Sequence, residues 1–332
     1  MKKIMNDPAA YTLDMLKGIY AAHKHKVGYV GEDLHSYQAL LKKPGKVGII
    51  TGGGTGHLPL FLGYVGEGML DGCAVGDVFQ SPSAEQIFEL TKAVDQGSGV
   101  FYLYGNYSGD IMNFDMAAEF CELEGIQTKS LVGADDVHSA PKDKLEIRRG
   151  VAGIFFLYKC AGAAADQMAS LEQVVQVAEE VGTRVRTVGF ALSPCIIPEV
   201  GKAGFALGET EMAMGMGIHG EPGIWNGPLK SSAELAQEIV QAILDDMPIA
   251  SGSKVAILVN GLGSTPLDEL YILYGDVEAQ LNKQGIDVHR AYIGEYATSM
   301  EMAGASVSVF HLNDDLAALL DYPANTPFFK QL

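Results

Sequence analysis

Three stretches of the chain set a titratable side chain among small residues that leave the backbone open. TGGGTGH (51–57) ends in His57, GNYSGD (105–110) ends in Asp110, and GIHGEPG (217–223) holds His219 between glycines and a proline. An imidazole with its ordinary pKa near ~6.5 moves protons or acts as a nucleophile at neutral pH. A carboxylate beside it orients or activates a hydroxyl. Consecutive glycines let a ligand approach backbone N–H groups, so the run TGGGTGH makes a candidate cradle. Each stretch also has a plain structural reading: a tight strand-to-helix connection, a turn aspartate capping the next helix, an ordinary loop histidine.

The glycine run is not a nucleotide loop. No Lys-Ser or Lys-Thr follows it, and His57 stands where the G-x-G-x-x-G pattern needs its last glycine. NGLGSTP (260–266) reads mainly as a structural strand-to-helix turn. His23 and His25 sit two apart on a predicted helix and cannot share its face. His35, His138, His289 and His311 lack a partner motif and default to solvated surface. No metal is expected.

Around these stretches the pattern alternates between strand and helix. An apolar run from residue 46 enters the glycine-rich turn, and 71–79 supplies a second strand after the loop GYVGEGML. A helix is expected over 83–97, a strand and turn over 99–110, a helix over 113–125 and a strand at TKSLVGA. DDVHSAPKDKLEIRRG is a polar excursion, and 170–192 looks like a long helix with a strand or turn after it. Residues 193–228 read as loops and short strands. A serine-capped helix over 231–246, a buried strand over 254–266, a helix over 267–285 and a second sheet complete the chain. The expectation is an α/β protein of two domains, 1–182 and 183–332, each a mostly parallel or mixed sheet flanked by helices.

The 332 residues carry 23 Lys and Arg against 41 Asp and Glu, a net charge of -18. Such a surface repels nucleic-acid backbones and anionic lipid and suits a neutral ligand. No apolar run reaches the length of a membrane span or an export signal, and the four cysteines lack C-x-x-C spacing. These features imply a cytoplasmic protein with reduced thiols and neither disulfides nor zinc.

TGGGTGH, GYVGEGML, NYSGD, MNFDMAAE, RRGVAG, ALSPCIIPEVG, MGIHGEPG, VNGLGSTPLDELY and EYATSMEMAG occur in that order over nearly the whole chain. Together they resemble the substrate-binding subunit of dihydroxyacetone kinases. The resemblance implies a homodimer that holds a short ketose and binds no cofactor itself, while a separate nucleotide-binding L-type subunit carries ATP or ADP with Mg. It implies that His219 attacks the ketone carbon to give a covalent hemiaminal, which excludes glycerol. It makes His57 and Asp110 the groups that withdraw the proton of the attacking hydroxyl, with Gly54, Thr55, Gly56 and Gly105 around the substrate. Two positions depart from the family pattern: Leu58 stands where a glutamate is usual and Gly105 where a lysine is usual. A wider, less polar pocket would admit a four-carbon ketose such as erythrulose. It would equally suit a non-catalytic coactivator paralogue that senses the ketose for a transcription regulator.

Overall fold

The protein is described from a computed structural model covering residues 2–332. Its residues divide into two units. The first holds the chain up to Gly133, Phe156–Val181 and Ala318–Leu332, and the second holds Ala134–Phe155 and Gly182–Ala317. A single cut into 1–182 and 183–332 therefore misassigns two segments. The polar excursion belongs with the second unit, where Thr187 N–H donates to the Asp135 carbonyl at 2.8 Å. The C-terminal tail belongs with the first, where Asn325 N–H donates to the Glu67 carbonyl at 2.9 Å.

The first unit is built on a six-stranded sheet of order β1-β2-β4-β3-β5-β6. The strands are β1 (Val27–Val30), β2 (Asp33–Ala39), β3 (Gly48–Thr55), β4 (Gly72–Val78), β5 (Val100–Gly105) and β6 (Thr128–Gly133). β4, β3, β5 and β6 run parallel, and β1 and β2 add an antiparallel edge. Helices α1 (Tyr11–His23), α2 (Ala84–Val94) and α3 (Ser108–Leu123) flank it, and α4 (Ile154–Asp166) and α5 (Leu171–Arg184) follow in the chain. Ser83 and Gln86 close a capping box at the start of α2, which satisfies two N–H groups that a helix start leaves open. Ile87, Leu90 and Val94 of α2 and Phe114 and Ala117 of α3 pack on Ile50, Ala74, Val100 and Tyr102 of the sheet. The Thr51 and Tyr158 hydroxyls meet at 2.7 Å and tie α4 to β3.

Two boundaries here differ from the sequence expectation. β3 continues through Gly52, Gly53, Gly54 and Thr55, so the glycine run is buried strand and not a turn. A Cβ on Gly52 would lie 3.0 Å from the Phe114 ring, on Gly53 2.4 Å from the Phe61 ring, and on Gly54 2.6 Å from the Gln80 nitrogen. Protein atoms, not a ligand, fill the space those missing side chains leave. α3 begins at Ser108, so Asp110 is in the first turn of the helix rather than before it.

The second unit carries a mixed six-stranded sheet of order β11-β10-β12-β7-β8-β9. Its strands are β7 (Val185–Ser193), β8 (Glu211–Met214), β9 (Trp225–Pro228), β10 (Lys254–Gly261), β11 (Asp287–Gly294) and β12 (Ala303–Leu312). Only β10 and β11 pair in parallel, so this sheet is weighted towards antiparallel pairing. The long helix expected to run past 184 ends at Arg184, and β-branched Val185, Thr187 and Val188 already belong to β7. Helices α6 (Ser232–Asp246) and α7 (Leu267–Lys283) pack Leu235, Ile239, Ile243, Leu270, Leu273 and Val277 against the sheet. Ser231 caps α6 with Glu234 in a second capping box.

A buried ion cluster pins the polar excursion. Arg148, 1% exposed, makes a two-bonded fork to Asp246 at 3.0 and 2.6 Å, and Arg186 Nε donates to the same carboxylate at 2.5 Å. Burial works against the Asp246 charge, yet hydrogen bonds from the two guanidiniums hold its carboxyl below the ordinary range. Among the described residues no helix is long and apolar enough to cross a membrane.

Candidate functional site

In the first unit the chemistry gathers at the C-terminal ends of β3 and β5, neighbouring parallel strands. Open α/β sheets expose backbone ends and loops along that edge, which is where they bind ligands. Gly56 turns the chain out of β3 with φ +101°, a value open to glycine at little cost. His57 follows and is 1% exposed. Its ring stacks on Phe79 at 4.8 Å and 18° and meets the edge of Phe61 at 6.0 Å and 84°. Phe61 and Phe79 both hold positive φ, 69° and 59°, which is strained backbone for bulky residues. The imidazole is thus fixed between two aromatic side chains that its own sequence neighbourhood did not reveal.

Asp110 is 5% exposed at the third position of α3, where the N-terminal end of the helix dipole favours a negative charge. Burial, with the Asp110 charge behind it, pushes the thiol of Cys73 well up. Gly105 closes β5 opposite Gly133 of β6 and is buried. The Thr55 hydroxyl lies 3.2 Å from that of Thr12 on α1, an interaction outside the cradle assigned to it from sequence. His57, Asp110, Gly54, Thr55, Gly56 and Gly105 therefore share one sheet edge.

His219 stands in the second unit, on the connection between β8 and β9. Gly217 N–H donates to Glu221 O at 3.2 Å and Gly220 N–H to Gly217 O at 3.0 Å, closing a tight turn with φ +82° at Gly220. The glycines were expected to leave clearance for a ligand, but two of them make room for protein. A Cβ on Gly217 would lie 2.1 Å from Glu221 Oε2, and one on Gly223 2.0 Å from the Met214 carbonyl. The glutamate folds back over the turn. Its Oε2 accepts the His219 backbone N–H at 3.0 Å and its Oε1 lies 2.9 Å from His219 Nδ1. Burial alone would raise the Glu221 carboxyl, but the hydrogen bond and charge of His219, with Arg149, bring it down to about 2.

An ionised carboxylate on Nδ1 fixes the tautomer in which Nδ1 carries the hydrogen and Nε2 the lone pair. Glu221 is a residue of this candidate site that the sequence analysis did not single out, although its signal was present as H-x-E across a glycine-bounded turn. His35 and His138 also depart from the surface expectation. His35 Nδ1 lies 2.7 Å from the Val75 carbonyl, and the half-buried His138 ring sits against Gly215. Among the described residues no group of three or more His, Cys, Asp and Glu side chains could hold a metal ion. All four cysteines are buried.

Fold and site define a two-unit α/β chain with a buried histidine and aspartate on a parallel sheet edge and a carboxylate-held histidine on a glycine-rich turn. The Dak1 domain matches residues 17–328, and the chain belongs to that family. It is 42% identical over 327 residues to "PTS-dependent dihydroxyacetone kinase 1, dihydroxyacetone-binding subunit DhaK" of Listeria innocua, covering 98% of this chain and 99% of that one. It is 40% identical over 331 residues to the D-erythrulose kinase of Mycolicibacterium smegmatis, covering 100% of this chain and 57% of that one. A solved structure, the dihydroxyacetone kinase operon co-activator Dha-DhaQ, matches with TM-score 0.90 at 33% identity, covering 96% of this chain and 98% of that one.

Proposed function

We propose that the chain is the ketose-binding subunit of a dihydroxyacetone-type kinase, holding its substrate as a covalent hemiaminal on His219. The observation that carries this reading is the 2.9 Å contact between His219 Nδ1 and Glu221, which leaves Nε2 with the lone pair. Nε2 attacks the ketone carbon, the C=O π pair moves onto oxygen, and that oxygen takes a proton from solvent. The imidazolium so formed keeps its Nδ1 hydrogen against the Glu221 carboxylate, so one new positive charge faces one standing negative charge. A polyol with no carbonyl cannot form this bond.

His57 and Asp110 take the proton of the ketose hydroxyl as it attacks phosphorus. Burial of both side chains supports that assignment, since proton-transfer groups work best where water is excluded. The phosphoryl group comes from a separate nucleotide-binding subunit that carries ATP or ADP with Mg. The mainly parallel edge of the first unit supplies no Lys-Ser phosphate loop of its own, in keeping with that division of labour. Leu58 and Gly105 leave the pocket less polar than glutamate and lysine would, which favours acceptance of a four-carbon ketose beside dihydroxyacetone.

The test is phosphoryl transfer with a nucleotide-binding subunit supplied, comparing dihydroxyacetone, erythrulose and glycerol. We expect product from the ketoses and none from glycerol, with His219→Ala losing ketose turnover. Ketose binding without product would make the chain a sensor of the co-activator type. Turnover of glycerol, or full ketose turnover by His219→Ala, would overturn the covalent reading.

A further inference from the structure

Two adjacent arginines of the RRG segment have opposite surroundings. Arg148 is locked in the buried cluster with Asp246, whereas Arg149 runs to the His219 turn. Its Nε and NH2 donate to Asp136 Oδ2 at 2.9 and 2.8 Å, and NH2 also donates to the Gly215 carbonyl at 2.9 Å. The guanidinium is thus held by a carboxylate and by the carbonyl of Gly215, the residue that follows β8. Its remaining arm, NH1, stands 4.0 Å from Glu221 Oε2, the oxygen that accepts the His219 backbone N–H. Gly217 confirms how tightly these groups are placed, since a Cβ there would lie 2.7 Å from Arg149 NH1 as well as 2.1 Å from Glu221 Oε2.

We infer that Arg149, anchored by Asp136, is a positioning residue that aims the Glu221 carboxylate at His219. The backbone N–H of His219 occupies Oε2 and the Arg149 guanidinium draws the same oxygen as an ion-pair partner at 4.0 Å, which reserves Oε1 for Nδ1 and disfavours turning of the carboxylate. A rigid planar fork suits this task better than a lysine ammonium, which offers one point charge. Asp136 is fixed in turn, because its Oδ1 accepts the His138 backbone N–H at 3.2 Å and its backbone N–H donates to the Arg149 carbonyl at 3.1 Å. The polar excursion, which shows no helical or strand periodicity, is the underside of the His219 turn. The inference deepens the ketose-binding reading and rests on it only for the effect on adduct strength.

The experiment uses the full chain labelled with nitrogen-15 histidine at neutral pH, in wild type, Arg149→Gln, Arg149→Lys and Asp136→Asn. Ring correlation spectra read the His219 tautomer without any ketose. Wild type is expected to show Nδ1 protonated and Nε2 bare, and Arg149→Gln and Asp136→Asn to drift towards a tautomer mixture. With carbonyl-labelled dihydroxyacetone, adduct affinity in Arg149→Gln falls about tenfold, the scale of one lost charge-assisted interaction, and Arg149→Lys restores part of it. Circular dichroism checks that each variant is folded, and Asp136→Asn carries the test should Arg149→Gln fail to fold. A wild-type tautomer signature in folded Arg149→Gln and Asp136→Asn overturns the inference. Absence of any adduct in wild type instead overturns the ketose reading, while the tautomer spectra still decide the role of Arg149.

Discussion

His57 and His219 are the same residue on glycine-rich connections, yet their surroundings differ in kind. His57 is buried with its ring on Phe79 and its edge partner Phe61, at the end of a parallel strand. The His219 side chain is 23% exposed and has a carboxylate on Nδ1, with an arginine behind it, at a turn between antiparallel strands. An apolar box fixes where a ring is and limits the water around it. A carboxylate fixes which nitrogen carries the hydrogen and stabilises positive charge on the ring. The first arrangement suits brief proton transfer, and the second suits a nucleophile that must hold a cationic adduct.

The two sites should fail differently when altered. His57→Ala or Asp110→Asn should lower phosphoryl transfer by about 10²–10⁴-fold, the usual worth of a positioned acid or base, while leaving ketose adduct formation intact. Rate and adduct measured on the same preparation check this, and parallel loss of both would erase the distinction. Glu221→Gln keeps a hydrogen-bonding side chain but removes the charge. It should weaken the adduct by about ten- to a hundredfold, following the ~1.5–3 kcal/mol of a hydrogen bond to a charged group, with a smaller effect on the chemistry of bound ketose.

Smaller effects separate the two turns by packing and by pH. Gly53→Ala drives a methyl into the Phe61 ring and should cost ~1–3 kcal/mol of stability by overpacking, read as a lower denaturation midpoint, without altering the His219 tautomer. Glu221, whose carboxyl is depressed to about 2, gives the smallest effect. A depressed folded pKa means that the stabilisation is present above the unfolded value near ~4.3 and is lost as pH falls through the folded one. Denaturation of wild type and Glu221→Gln should therefore differ above pH about 4.3 and converge as pH falls from there towards 2. A constant difference across that range would show that the carboxylate charge contributes nothing to stability.

The alternation of helix and strand, the serine cap of α6 and the placing of His57 and Asp110 near strand ends were legible in the sequence. Several misread features depend on partners elsewhere in the chain. Gly52, Gly53 and Gly54 look like a turn because glycine is a poor strand former, and only Phe61, Phe79, Gln80 and Phe114 packed on them make the strand stable. Arg149 and Asp136 lay in a stretch with no periodicity to read, and only the fold carries them under residues 215–221. The antiparallel β1–β2 pair escaped notice because short edge strands mix exposed and buried positions without clean alternation. Glu221 was the nearest miss, two residues from a histidine already singled out.

In the proposed reading the ketose carbonyl becomes a tetrahedral carbon bonded to His219. Dihydroxyacetone labelled with carbon-13 at its carbonyl, added to wild type and to His219→Ala, tests it by NMR. We expect a bound signal in the tetrahedral-carbon range for wild type, coupled to a nitrogen-15 label in the histidine ring, and no such signal for His219→Ala. A bound signal that stays in the carbonyl range, or a tetrahedral one that persists in His219→Ala, would contradict it.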